Sequence, residues 1–518
     1  MIRAFNTRAF DVLFVALALL GAALLLLKHD AFFHDDAYIT LRYAVNFAET
    51  GLPQWNRGEW VEGFTSWLHL GLLALLIWLG LPAVFAAQAL NAVSALALLY
   101  FTWIAARHVA PDQDMRVDRR FVFAAVAVSP PLAVWVLGGL EAVLVGTLLT
   151  AGLAALLAHL REPRPYRIVI VCVAFSLAIL TRLDASVFVA GAGIGLVLAA
   201  KTDLRTRIRE AIVIVGVPAA VAFAQMGIRL NVYGEFFPLT FYAKADLPLG
   251  ERITNGLPYL LDGLWEVSVI GVSLIALAAA IFWGAFTRSA VLLLCPVLLQ
   301  LLYIVWAGGD HMLYSRMLVP LIAPTALLLL ALTSEMRAPQ RRLLFSVAIV
   351  ASVLQGAVND KLRRDPAAFA GEIVGPYIAA TWPSGITIAN NSAGGVPFYA
   401  GRDHVFVDML GLNDPVIAKR EDVPILAFGQ EWPGHLKGDG AYVLERAPDR
   451  IIIGPAPGTD VDDPWFLSDA ELALMPEFAE CYERRAEEIR FSIGDERPKR
   501  VFFGPHSMIF VYYTRVCP

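Results

Sequence analysis

The stretch "FFHDDAYITLRYA", residues 32–44, follows directly on the first apolar run of the chain, residues 9–27. It sets two adjacent aspartates beside a histidine where a membrane surface must lie. Downstream, Tyr38, Leu41, Ala44, Val45 and Ala48 recur at helical spacing, with Arg42, Asn46 and Glu49 on the other side. That pattern predicts an amphipathic helix lying in the interface. Asp is a favoured helix N-cap, so capping accounts for one carboxylate. It does not account for two of them with a histidine. Adjacent carboxylates repel, which raises the pKa of one. A raised pKa suits a general base, and a close pair of carboxylates also suits a divalent cation.

The surrounding chain fits a membrane setting. Of its 518 residues, 58% are hydrophobic and 17% charged, against about 25% charged in a soluble domain. Apolar runs of roughly 18 or more residues recur through the first two thirds, which predicts an α-helical polytopic membrane protein. The first run follows Arg3 and Arg8, but "LLLLKHDAFFHDD" offers no small-x-small cleavage site, so it is expected to stay as an anchor. Eleven spans are predicted: 10–27, 83–106, 121–137, 141–160, 167–181, 185–200, 211–228, 264–284, 289–306, 317–333 and 343–358. A further run, 64–80, is ambiguous. Basic loops at 107–120, 161–167, 201–209, Arg288 and 335–342 should remain cytoplasmic. With a cytoplasmic N-terminus this closes only if 64–80 does not cross and instead dips into the outer leaflet.

The exterior then receives 28–82, "VLGGLEA", "LTRLDA", the loop 229–262, the loop 307–317 and everything after about 359. From there the composition changes, with more Pro, Gly and charge. "SGITIAN", "HVFVDM", "RIIIGP" and "MIFVYY" read as short strands, and 463–489 reads mostly as helix. Two domains are expected: 1–358 in the membrane and carrying the catalytic machinery, and 359–518 as an exterior α/β domain that binds acceptor or carbohydrate. Cys172 and Cys295 lie in apolar runs as packing residues. Cys481 and Cys517 lie in the exterior domain, where they would either pair or stay free.

Three more motifs carry polar chemistry. In "QWNRGEWVEGFTSWL", residues 54–68, Trp55, Trp60 and Trp67 alternate with Asn56, Arg57, Glu59 and Glu62. This reads either as an aromatic belt or as rings and hydrogen-bonding groups for a sugar, with Trp60 and Glu62 the leading pair. Arg182, Arg229, Lys244 and Arg316 are exterior cations. Singly they read as salt bridges, Arg182 with Asp184 and Arg316 with Asp310. As a set they suit a phosphate, with Arg182, Lys244 and Arg316 foremost. In "GGDHMLYSR", residues 308–316, Asp310 and His311 could bind sugar hydroxyls or join the Asp pair around a metal. No P-loop, no GxGxxG after a strand and no HExxH occur, and no nucleic-acid partner is expected.

Taken together, "HDDAYITLRYAVNFAETG", "VEGFTSWL", "GGLEA", "GGDHMLYSRMLVP" and "DMLGLNDPVIAKR" resemble the glycosyltransferase-C superfamily. Within it, the best likeness is to bacterial, mycobacterial-type terminal β-(1→2)-arabinofuranosyltransferases. The resemblance implies a bacterial inner-membrane enzyme, with its site at the periplasmic face and its C-terminal domain periplasmic. It implies inverting transfer of an arabinofuranose-like pentose from a polyprenyl-phosphate donor to an envelope glycan or glycolipid. Asp35 and Asp36 match the acidic pair, Glu141 a second-loop acid placed to position sugar hydroxyls, and Arg182 a phosphate-binding base. A divalent cation (Mg, Mn or Ca) on Asp35, Asp36 and His34 is the cofactor expectation. The competing reading is a lipid-linked sugar flippase or transporter, which would place ionisable groups at the bilayer midplane.

Overall fold

The computed structural model describes residues 2–112, 115–244, 249–284, 286–359, 364–432, 434–491 and 506–517. Each predicted span coincides with an apolar helix, but length and composition together qualify fewer than eleven as crossings. Among the described residues, Ala83–Val109, Ala142–Arg161, Leu204–Tyr233, Arg288–Ala307 and Ala338–Val358 are long and apolar enough alone. Two bent pairs bring the number to seven. Val12–Lys28, Pro165–Thr181, Ala185–Ala199 and Arg316–Leu332 are apolar but shorter. Trp67–Trp78, within the ambiguous run, has 12 residues, against the roughly 20 a crossing takes. Large apolar side chains such as Phe223, Phe282 and Leu354 face outward, as lipid-covered helices require. The chain is a multi-pass membrane protein.

The first of the two bends has a local cause. The predicted span 121–137 is two helices, Arg116–Ala127 and Pro130–Leu137, set 49° apart. Pro130 and Pro131 supply no N–H, and a proline drives the residue before it out of helical geometry. The predicted span 264–284 breaks at Val267, where Leu249–Glu266 turns 99° into Ser268–Trp283. Most of the predicted loop 229–262 is therefore helix. Ile253, Leu257, Leu261 and Trp265 make one exposed apolar stripe at i, i+4 spacing along it, the signature of an interfacial helix. Pro258 and three glycines hid that stripe in the sequence.

Side-chain bonds gather the basic loops at one end of the bundle. Arg161 donates to the carbonyls of His108 and Val109, and Arg288 to those of Ala199 and Leu160. Arg341 and Arg342 pair with the buried Asp118, at 2.7 and 3.2 Å. The residue 28–82 segment lies at the other end, against the C-terminal domain.

That domain holds a five-stranded sheet. Its strands are β1 (Thr387–Asn390), β2 (Val405–Asp408), β3 (Arg450–Ile452), β4 (Tyr482–Arg490) and β5 (Ser507–Arg515), in the order β2-β1-β3-β5-β4. The first three run parallel, and β5 is antiparallel to both β3 and β4. The four predicted strands are present, and β4 lies in the segment whose composition predicts helix. Helices Leu467–Ala473 and Pro476–Cys481 cover the first part of 463–489, after which "YERRAEEIR" turns extended. Its charges face water along the sheet edge, where they discourage edge-to-edge pairing. A disulfide between Cys481 and Cys517 joins its start to the end of β5.

The interface helix Asp35–Thr50 fixes this domain to the membrane portion. Arg42, buried, gives every bond to a carbonyl: Trp55 (2.9 Å), Gly401 (2.8 Å), His404 (3.3 Å) and Pro397. Its guanidinium also lies over the rings of Trp55 and Phe406. Asn56 bonds both the N–H and the C=O of Phe406, acting as a one-residue extension of the sheet beyond β2. Tyr43 donates to Asn413 and Tyr38 to Glu372. The 28–82 segment and the C-terminal domain therefore lie at the same end of the helix bundle.

Candidate active site

Between these two parts lies a cavity of about 280 Å³. Its membrane-side wall carries His34, Asp35, Asp36, Ile39, His311 and Leu313. Its other wall comes from the loops after β1 (391–393), β2 (Leu410, Leu412) and β3 (455–457). Ligands of open α/β sheets bind outside the carboxyl ends of parallel strands, where the strand order reverses. Here β1 is that point, with β2 on one side and β3 on the other.

His34, not an aspartate, is the N-cap of Asp35–Thr50: its ring accepts the Asp36 N–H through Nδ1 at 3.2 Å. The expectation that one carboxylate is spent on capping is corrected, and both aspartates line the cavity. Asp35 Oδ1 accepts the N–H of Gly395 at 2.8 Å. A Cβ at the neighbouring Gly394 would overlap the carbonyl and carboxylate oxygens of Asp35, so the glycine is what lets this backbone approach. Loss of water raises the Asp35 pKa to about 8, with Asp365 and Asp36 adding to the effect and the N–H groups of Gly395 and Gly394 opposing it.

Asp365 is a site residue that sequence reasoning missed. It caps Pro366–Thr381 by accepting the N–H groups of Ala367 and Ala368, both at 2.9 Å, and faces His34 Nε2 at 3.8 Å. Its Asp-Pro pair is a legible helix start, but the partner more than 300 residues away is not. Asn391, Ser392, Trp432, His435, Trp465 and Phe466 were missed in the same way.

The predicted sugar-binding residues divide. His311 lines the cavity, and Trp60, Glu62, Glu141 and Asp310 do not. Glu62 is fully buried, with Arg229 on both oxygens at 2.5 and 3.0 Å and Trp67 on one at 3.0 Å. Trp60 is exposed beside Tyr233. Glu141 accepts from Arg182 at 2.7 Å, and Asp310 from Arg316 at 3.0 Å.

The predicted phosphate-binding cations are brought partly together. Arg182 and Arg316 border one small cavity with Asp184 and Gln300. Its volume of about 20 Å³ holds about one water, so a phosphate enters only if side chains move. Arg182 also pairs with Asp184 at 2.9 Å, so both salt bridges anticipated from sequence are present. The turn that delivers Arg316 has left-handed backbone at Tyr314 and Ser315, φ 58° and 46°. Such backbone costs on the order of 1–3 kcal/mol per residue and clusters at functional sites. Lys244 ends the helix Leu239–Lys244, and its side chain lies outside the described residues.

Trp135 is the common neighbour of the two halves. Its ring centroid is 5.7 Å from that of His34 and 6.0 Å from the Arg316 guanidinium carbon. Among the described residues no three His, Cys, Asp or Glu side chains converge as a metal site. The expected set of Asp35, Asp36 and His34 is not preassembled, because His34 turns its nitrogens to the Asp36 N–H and to Asp365.

No curated protein matches the chain. A sequence family described as a domain of unknown function (DUF8728) matches residues 362–501. Solved structures resemble the whole. ArnT from Cupriavidus metallidurans, bound to undecaprenyl phosphate, aligns over 77% of this chain and 86% of its own at 15% identity, TM-score 0.50. The oligosaccharyltransferase AglB from Archaeoglobus fulgidus, in complex with an inhibitory peptide and a dolichol-phosphate, aligns over 78% and 65% at 10% identity, TM-score 0.50. The arabinofuranosyltransferase AftD from Mycobacteria aligns over 98% of this chain and 41% of its own at 15% identity, TM-score 0.50. The fold is the one these three structures share with the chain. At these identities the likeness speaks for the fold, and the chemistry rests on the residues of this chain.

Proposed function

We propose that this protein is an inverting membrane glycosyltransferase that moves a sugar from a polyprenyl-phosphate donor to a cell-envelope glycan or glycolipid. The observation that carries the reading is Asp35. Its carboxyl, with a pKa near 8, opens into a cavity shared by the membrane portion and the C-terminal domain. A base with a pKa near operating pH is well matched to taking a proton from a hydroxyl.

In the proposed reaction Asp35 accepts the proton of an acceptor hydroxyl. The freed oxygen attacks the anomeric carbon from the face opposite the phosphate. The bond from that carbon to the phosphate oxygen breaks, and its electron pair stays on the phosphate. Arg182 and Arg316, with Lys244 as the third candidate, exchange their carboxylate partners for this phosphate. Asp36 and His311 bind sugar hydroxyls. As arranged, the residues do not fit a divalent cation, and no step is routed through one. The Cys481–Cys517 disulfide supports a periplasmic C-terminal domain, since disulfides persist in oxidising compartments. The gathered basic loops support a cytoplasmic opposite end. An arabinofuranose-like pentose is the first donor to try, on the strength of the sequence resemblance and the AftD-like fold.

The test is transfer of radiolabelled sugar from a synthetic polyprenyl-phosphate donor by purified full-length protein. Asp35→Asn should reduce transfer by about 10²–10⁴-fold with unchanged solution behaviour. Wild-type transfer by both Asp35→Asn and Asp36→Asn would remove the basis of the proposal.

A further inference from the structure

The C-terminal wall of the cavity is aromatic. Trp432, Trp465, Phe466 and His435 line it, and Phe428 extends it outward. Their centroids lie close: Phe428–Trp465 at 5.0 Å, Trp432–Trp465 at 6.1 Å and His435 stacked on Phe466 at 5.5 Å. Large apolar rings normally retreat from water, yet Phe428 is 51% and Trp432 38% exposed.

One buried carboxylate organises this wall. Asp469, fully buried, accepts the N–H groups of Trp465 (3.3 Å), Phe466 (3.0 Å) and Gly454 (3.1 Å) and the side-chain amide of Asn391 (2.8 Å). It thereby ties the aromatic segment to the loops after β1 and β3. The Trp465 carbonyl accepts the Gly429 N–H at 3.0 Å, which adds the Phe428 segment. His435 meets His311 at 5.2 Å, so the aromatic wall runs on to the membrane-side wall.

We propose that Trp432 and Trp465 form a stacking platform for the saccharide rings of a neutral glycan acceptor, running from the cavity mouth toward Asp35. Sugar rings have apolar faces and polar edges. The platform offers rings for the faces, and Ser392 and His435 for the edges. Asp35, Asp36 and Asp365 line the same cavity, and among its described lining residues there is no Lys or Arg. Anionic glycans are therefore disfavoured. This rests on the glycosyltransferase reading for the meaning of "acceptor", but saccharide binding itself does not require that reading.

The experiment therefore needs no donor. Full-length Asp35→Asn protein is titrated with neutral arabino-oligosaccharides of increasing length, with an oligouronate and with a Ser/Thr-rich peptide, following tryptophan fluorescence and calorimetry. Affinity for the neutral series should rise with length and then level off. Trp432→Ala and Trp465→Ala should each weaken the longer oligosaccharides tenfold or more, and Trp432→Phe should recover most of that loss. Equal affinity in all variants, preference for the oligouronate, or preference for the peptide would overturn the platform. Tight saccharide binding that depends on Trp432, together with no sugar transfer by the wild-type protein from polyprenyl-phosphate donors, would instead overturn the glycosyltransferase reading and leave the platform standing.

Discussion

The value near 8 for Asp35 makes a quantitative claim about pH. The base must be ionised to act. At pH 6, two units below that value, about 1% of it is ionised, so kcat/KM should be about 100-fold below its plateau. The profile should climb tenfold per pH unit and reach half its maximum near pH 8. Because kcat/KM reports the free enzyme, the ligand-free geometry is the relevant one. Asp365 contributes part of the elevation, and Asn caps a helix as well as Asp does. Asp365→Asn should therefore keep the helix Pro366–Thr381 and move the ascending limb to lower pH. The same group affects stability with a definite sign. Its folded-state pKa lies above the ordinary carboxylate value of 3.8, so the protonated form favours the fold. That contribution is complete below pH 3.8 and is lost progressively up to about pH 8. The difference corresponds to at most on the order of 6 kcal/mol, and less because Asp35 is only half-buried. Asp35→Asn should thus raise the unfolding temperature of detergent-solubilised protein at pH 8.5 and raise it less at pH 5, while abolishing transfer. A flat kcat/KM profile from pH 6 to 9, or an Asp35→Asn protein no more stable at pH 8.5 than wild type, would refute the assignment.

Three further outcomes follow from the geometry. Gly394→Ala should abolish transfer and lower the unfolding temperature, because the new methyl group meets the backbone carbonyl of Asp35 as well as its carboxylate; activity within threefold of wild type would show that the approach can relax. Arg42→Met should uncouple the C-terminal domain, since the carbonyls of Pro397, Gly401 and His404 lose the Arg42 donor at roughly 1–3 kcal/mol for each that stays unsatisfied; limited proteolysis should then cleave between the domains, and an unchanged pattern would count against the interface. Reducing the Cys481–Cys517 disulfide, which closes a 36-residue separation, should cost about 3–4 kcal/mol of C-terminal domain stability, read as a lower unfolding temperature with dithiothreitol and no change in a Cys481→Ala/Cys517→Ala double variant.

What could be read beforehand follows the range of the forces involved. Apolar runs report local partitioning, so every predicted span met an apolar helix. They do not report length once a helix is bent, and the break at Ser129 comes from proline stereochemistry. The β4 segment "YERRAEEIR" has good helix formers throughout, but pairing with β5 and the disulfide override propensity. At the candidate site, "HDD" marked two carboxylates that both line the cavity, yet His34 as N-cap is a pairing choice that residue preferences do not reveal. Asp365, Gly394 and Gly395 had local signals, an Asp-Pro helix start and a glycine pair. What they served lay more than 300 residues away in the chain and was invisible without the fold.

The division of charge around Trp135 resolves a conflict within the proposed reaction. A general base near pH 8 must not face a free cation, because a guanidinium at short range would return its pKa to the ordinary carboxylate range. A departing phosphate, by contrast, needs cations close by. The chain keeps the two apart. Arg182 and Arg316 are held by Glu141, Asp184 and Asp310, and none of these five lines the Asp35 cavity. The Trp135 ring neighbours both Arg316 and His34. Donor phosphate would draw the guanidiniums from their carboxylates only when it arrives. The carboxylates thus keep a cationic site from discharging the base in the empty enzyme, and Glu141→Gln should expose the arrangement by shifting the ascending limb of the pH profile to lower pH.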